Sequence, residues 1–158
     1  MPIRTSAEYI QSLRGRNLKV YLMGELVKEP VEHPIIRPSI NAVAATFDLA
    51  ESNPELATTK SNLTGKTTHR FLAVATSPQE LILQNKMQRK LGQMTGTCFQ
   101  RCVGMDAINA MHSVTFDIDK KYQTPYHARF LKFLGKMQEE NRGRSAGSQN
   151  NKPERRAQ

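Results

Sequence analysis

Apolar positions recur along this chain mainly at helical intervals, with polar and Gly/Pro-rich runs between them. Thr5 to Glu8 has the form of a capping box, a hydroxyl and a carboxylate three residues apart. It predicts a helix whose Tyr9, Ile10 and Leu13 share a face, ended by Gly15. Leu18 to Val27 (LKVYLMGELV) sets Gly24 between two short β-prone runs and predicts a small hairpin. Pro30 and Pro34 are expected to keep the following chain extended. Pro38 suits the first turn of a helix carrying Ile40, Val43, Ala44, Phe47 and Leu49.

Residues 54–68 read as a polar linker rich in turn formers. Ser77-Pro78-Gln79-Glu80 is a second capping box, opening a helix to about Leu91. Leu81, Ile82, Leu83, Met87 and Leu91 are its expected core residues, and Gly92 and Gly96 are expected to bracket a turn. Val103, Met105, Ala107, Ile108, Met111, Val114, Phe116 and Ile118 predict a long helix after it. Thr124-Pro125 starts a last helix, Tyr126 to about Met137, with Phe130, Leu131, Phe133 and Leu134. From Glu139 onward the chain is polar and basic, with nothing to offset the entropy of ordering, so residues 139–158 are expected to be a disordered tail. The expected fold is mainly α: one helical domain over residues 1–138 with a minor β-hairpin.

Totals narrow the function. A chain of 158 residues that is 38% apolar suffices for one domain with a core. No apolar run approaches the roughly eighteen residues of a membrane helix, and the N-terminal stretch lacks a signal peptide's apolar centre. A cytoplasmic location without membrane contact is therefore expected, with the chain's 2 cysteines reduced or metal-bound. The net charge of +9 raises nucleic acid as a partner. Residues 141–158 hold five Lys/Arg against one Glu, so much of the excess lies in the tail. The remainder is thinly spread without aromatic interleaving, which argues for a solvated face and against nucleic acid.

Candidate chemistry is confined to residues 86–120. Cys98 and Cys102 stand four apart, and two thiols one helical turn apart can face a single object such as a metal cluster. On spacing alone two buried core thiols are the commoner arrangement, because free cysteine packs as a small apolar side chain. A cubane cluster takes four ligands, and His33, His69, His112 and His127 form no metal-spaced pair. Both readings stand at this level.

Several runs, in order, carry a resemblance: RTSAEYIQSLR, VYLMGE, HPIIRPSINAVAATFDLA, KMQRKLGQMTGTCFQRCVGMDAINA and DKKYQTPYHARFLKFL. From about Arg4 to about Met137 the chain resembles the N-terminal domain of the 4-hydroxybutyryl-CoA dehydratase (vinylacetyl-CoA Δ-isomerase) family. That family lies in the 4-hydroxyphenylacetate 3-hydroxylase superfamily, with the acyl-CoA dehydrogenase-like fold. The resemblance implies a flavoprotein lyase and isomerase acting on an acyl-CoA, 4-hydroxybutyryl-CoA, with FAD and a [4Fe–4S] cluster as cofactors. It implies that Cys98 and Cys102 are cluster ligands, completed in the family by a His and a Cys far downstream. It also implies that Arg89 and Gln100 line the substrate cavity as catalytic residues. On residues alone, each is a solvated polar side chain.

The family continues into a β domain and a C-terminal helical bundle, which supply most of the flavin site and the homo-oligomer contacts. The chain's basic tail resembles neither. The expectation is therefore a truncated or split form, inactive alone, that holds neither FAD nor cluster stably without a companion chain. The alternative is a non-catalytic helical remnant or interaction subunit needing a partner domain.

Overall fold

The computed structural model describes residues 5–140. Six α-helices, two hairpins and one 3₁₀ turn follow in the order α1 (Ser6–Leu13), β1 (Val20–Leu22), β2 (Glu25–Val27), α2 (Arg37–Ser52), α3 (Pro54–Ala57), β3 (Thr58–Lys60), β4 (Thr67–His69), the 3₁₀ turn Arg70–Leu72, α4 (Pro78–Thr95), α5 (Cys102–Tyr122) and α6 (Tyr126–Glu140). The mainly α expectation holds. None of the helices is long and apolar enough to cross a membrane. The predicted tail from 141 onward lies outside the described residues, while Glu139 and Glu140 belong to α6.

Local signals act where the sequence places them. Thr5 Oγ1 accepts from the Glu8 amide at 3.1 Å, and the Glu8 carboxylate accepts from the Thr5 amide at 3.3 Å. In the second box the Ser77 hydroxyl accepts from Glu80 N at 3.3 Å, but the Glu80 carboxylate reaches back to Thr76. The hairpin β1–β2 turns on Met23 and Gly24, both at positive φ (53° and 86°), matching the twist of the paired strands. Asp119 of α5 accepts from the Tyr126 and His127 amides at 2.9 and 2.8 Å, so one helix caps the next.

Three expectations give way. Pro30 and Pro34 do not hold an extended chain: amide bonds from Glu32 to Glu29 O and from Ile36 to His33 O close successive turns. The supposed linker 54–68 is a helical turn and a second hairpin, Thr58–Lys60 against Thr67–His69. Arg70 secures that segment by donating to the carbonyls of Leu56 (2.8 Å) and Thr58 (2.6 Å), and Gln138 of α6 bonds both Ser61 and Leu72 O. Such support comes from residues remote in sequence, so turn composition alone could not reveal it.

The third correction concerns faces. Met87 and Leu91 of α4 are fully buried, but Leu81 and Ile82 are 50% and 46% exposed. Gly92 lies inside α4, and only Gly96, left-handed at φ 61°, ends the helix. On α5 the inner row is Met105, Ile108 and Thr115, whereas Val103, Met111, Val114 and Phe116 are exposed. Val103, Ala107, Ala110, Met111 and Val114 form an outward apolar stripe at helical spacing.

The core joins α2, α4, α5 and the 3₁₀ turn through Ala42, Leu49, Phe71, Met87, Leu91, Phe99 and Met105. A second cluster, Leu72, Ile108 and Leu134, seats α6. Rings run through the first as a column: Tyr9 on Phe47 (5.4 Å), Phe47 on His69 (5.7 Å), His69 on Phe71 (6.0 Å), Phe71 on Phe99 (5.8 Å).

Truncating Leu91 to Ala removes a fully buried side chain and should cost about 2–5 kcal/mol in urea unfolding. Ile82→Ala, on the outer face, should stay within about 0.5 kcal/mol of the parent. Equal losses would contradict the assignment of faces. His69 is buried, and burial together with the Arg101 charge lowers its pKa to about 2. Below the ordinary histidine value the unfolded chain binds a proton that the folded chain refuses, so stability must fall as pH falls through that range. Relative to His69→Gln, the parent should lose about 2 kcal/mol more between pH 7 and pH 5. Parallel pH profiles would show that His69 is not held neutral.

Candidate functional site

Cys98 does not lie on the helix expected to carry it. α4 ends at Thr95, and α5 begins only at Cys102. Between them runs a short connection with two left-handed residues, Gly96 (φ 61°) and Gln100 (φ 59°). Gly96 adopts that conformation without a Cβ penalty. Gln100 does so at a cost of about 1–2 kcal/mol, and the connection bends there into α5.

The bend makes residues alternate. Phe99 and Arg101 point into the core, at 7% and 5% exposure, while Cys98 and Gln100 are exposed and Cys102 is half-buried. The two cysteines flank the bend, near enough for Cys98 to help raise the Cys102 thiol's pKa, and neither is in a disulfide. Burial pushes the Cys102 thiol up, while the amides of Val103 and Cys102 itself, the first of α5, favour its thiolate. The pair therefore sits open to one side, with helix N–H groups turned to one sulfur. A bound iron would supply the charge that overcomes the cost of burying the thiolate.

Thiolates are the ligand type that iron–sulfur clusters take, so the pair fits two of four positions. Among the described residues no cluster of three or more His, Cys, Asp or Glu could hold a metal. A cluster on this pair would need further ligands from beyond them. Arg89 lies exposed on α4, two residues from buried Met87 and Leu91 on either side and so on the outer face. Its side chain forms no hydrogen bond or ion pair among the described residues, and neither does that of Gln100. Because α5 starts late, Gln100 belongs to the bend that carries Cys98 rather than to a helix face. His112 and His127 meet edge to face at 5.0 Å between α5 and α6, remote in sequence from the cysteines, with His127 bound to Thr115 (2.9 Å).

The residue the sequence did not mark is Arg101. Its guanidinium lies over the rings of Phe47 and Phe71, 5.0 and 4.7 Å from their centroids, and Nη1 donates to Thr46 Oγ1 at 2.8 Å. Burial lowers its pKa to about 10, with Tyr9 opposing, so it remains charged at neutral pH. An arginine beside a cysteine in a polar stretch gives no sequence signal of burial.

The 4-hydroxyphenylacetate 3-hydroxylase N-terminal family matches residues 5–158, and so runs past the point where the resemblance in the sequence fades. Over 139 residues the chain is 52% identical to 4-hydroxybutyryl-CoA dehydratase/vinylacetyl-CoA-Δ-isomerase of Clostridium aminobutyricum, covering 87% of this chain and 28% of that protein. A solved structure of an oxygen-tolerant archaeal 4-hydroxybutyryl-CoA dehydratase from N. maritimus is 65% identical, with a TM-score of 0.85 over 88% of this chain and 28% of that one. The oxygenase component of 4-hydroxyphenylacetate 3-monooxygenase from Geobacillus sp. (strain PA-9) is more distant, 28% identical over 70% of this chain and 22% of its own length. The chain thus spans between a fifth and a third of these relatives. By fold, sequence and extent of match, the chain belongs to the 4-hydroxyphenylacetate 3-hydroxylase N-terminal family, and within it resembles the dehydratases.

Proposed function

We propose that this chain is the cysteine-bearing N-terminal part of a flavin- and [4Fe–4S]-dependent 4-hydroxybutyryl-CoA dehydratase, converting 4-hydroxybutyryl-CoA to crotonyl-CoA by way of vinylacetyl-CoA. The observation that carries this reading is Cys98 and Cys102, exposed and half-buried on either side of the bend into α5, in a chain 52% identical over 139 residues to such an enzyme. Cys98 and Cys102 are its cluster ligands, and the remaining ligands come from outside the described residues.

The difficulty of the reaction explains the demand for such a group. The proton to be lost sits on an unactivated β carbon, too weakly acidic for an ordinary general base near neutral pH. When bound, flavin and cluster supply one-electron chemistry that acidifies that proton and a Lewis-acidic iron for the leaving hydroxyl. This chain's residues hold and orient. The two thiolates fix the cluster to the rigid end of α5. Arg89, a permanent cation with no ion-pair partner among the described residues, steadies anionic charge on the acyl-CoA thioester side. Gln100, held at the bend, offers an amide donor and acceptor beside the cysteines.

A second reading draws on the outward stripe of α5, Val103, Met111 and Val114 (47–65% exposed). Such a face is what a helix presents to a partner domain, whether or not the assembly is catalytic. The partner of the catalytic reading is of the same kind, a β domain and helical bundle or a companion chain, within a homo-oligomer.

Anaerobic reconstitution with iron and sulfide separates the two. The chain alone should take up a labile, substoichiometric cluster, without tight FAD or turnover, and Cys98→Ser should remove the cluster absorbance. Absorbance unchanged in Cys98→Ser would leave only the interaction reading. A stable cluster with FAD and dehydratase activity would show that the chain needs no further ligands.

A further inference from the structure

Arg101 has no part in the function proposed above, yet the core is built around it. Its guanidinium lies 4.7–5.0 Å from two aromatic centroids with one hydrogen bond, to Thr46 Oγ1. Its Nη2 is buried without a hydrogen-bond partner, and no carboxylate pairs with it among the described residues. Burying a charge in this way is expensive, and an apolar chain of similar volume usually fills such a place at less cost. Packing alone therefore does not explain an arginine here.

What a guanidinium does, and an apolar chain does not, is fix its own position. Two ring faces set the plane of the group, and the hydrogen bond to Thr46 sets its rotation. The backbone it fixes is the one that matters. Arg101 is the N-cap of α5, with no side-chain hydrogen bond at that cap, and it lies between left-handed Gln100 and Cys102. Phe99, buried against Phe71 at 5.8 Å, is the other inward anchor of the bend.

We propose that Arg101 is a positioning residue for the cysteine pair. Clamped by Phe47, Phe71 and Thr46, it holds the bend and the first turn of α5 so that the Cys98 and Cys102 sulfurs are presented together. Its catalytic relevance rests on the reading of those cysteines as cluster ligands, but its geometric claim does not.

The test uses phenylarsine oxide, which condenses with two adjacent thiols, forming two As–S bonds and releasing one water. It therefore reads thiol geometry without iron or activity. The parent chain should bind one arsenical per molecule in the presence of a competing monothiol, and Cys98→Ser should not. Arg101→Met should bind at least about tenfold more weakly, because the second thiol loses effective concentration, while its thermal midpoint stays near the parent's. Thr46 keeps a bond to the Val43 carbonyl (2.6 Å), so that substitution leaves no orphaned donor there.

Arsenical affinity unchanged in Arg101→Met, or weakened only in proportion to an unfolded fraction, overturns the proposal. Should Arg101→Met not fold, Thr46→Val removes the acceptor and leaves the rings. Several-fold weaker binding in Thr46→Val supports the proposal, and parental affinity overturns it. The two readings fail separately. Cluster absorbance that survives Cys98→Ser removes the ligand role and leaves the positioning claim intact, whereas parental arsenical binding in Arg101→Met does the reverse.

Discussion

A single guanidinium, that of Arg101, ties the surface bend carrying the cysteines to the aromatic centre of the domain. Around it the rings of Tyr9, Phe47, His69, Phe71 and Phe99 form one continuous column. The column draws on α1, α2, the end of β4, the 3₁₀ turn and the bend before α5. A desolvated cation over two rings gains about 2 kcal/mol from each at best, well short of what desolvating a lone charge costs. The charge persists because the other packing of the core over-determines its place. His69 follows from the same constraint: in a dry column beside a fixed cation, it stays neutral.

From this centre the division between inner and outer surfaces follows. α4 and α5 each give one row to the core, Met87 and Leu91 from the first, Met105 and Ile108 from the second. Each also leaves large apolar side chains outside: Ile82 and Met94 on α4, Val103 and Val114 on α5. The cysteine pair lies where the connection between those helices surfaces. Exposed apolar side chains and the two thiols thus lie on the same two helices and the connection between them.

Much of this was legible in the residues. Both capping hydroxyls, the Gly24 hairpin and Pro38 at a helix start are local signals acting over three or four positions, and each element formed where its signal lies. The second hairpin was not legible, because its Thr-rich strands depend on Arg70 and Gln138 from elsewhere in the chain. Leu81 and Ile82 form an apolar run whose burial depends on which helix face meets α2, a tertiary fact. The site divides in the same way. Spacing predicted a helical cysteine pair, but only Cys102 is on the helix, and Cys98 precedes a bend in which Gln100 takes a conformation usually left to glycine. The roles proposed for Cys98, Cys102, Arg89 and Gln100 rest on resemblance, not on spacing. Arg101, set between Gln100 and Cys102, offered no periodicity that would bury it.

The central claim is that two sulfurs held by this core complete an iron site only with ligands from other protein. Fragment complementation tests it most directly. The chain would be mixed anaerobically with a polypeptide covering the part of a family dehydratase beyond the matched span, with iron, sulfide and FAD, and the cluster followed by its absorbance and iron content. The account predicts one stable cluster per pair of polypeptides, absent when both Cys98 and Cys102 are replaced by serine. A cluster of equal yield and stability with the doubly substituted chain would contradict it.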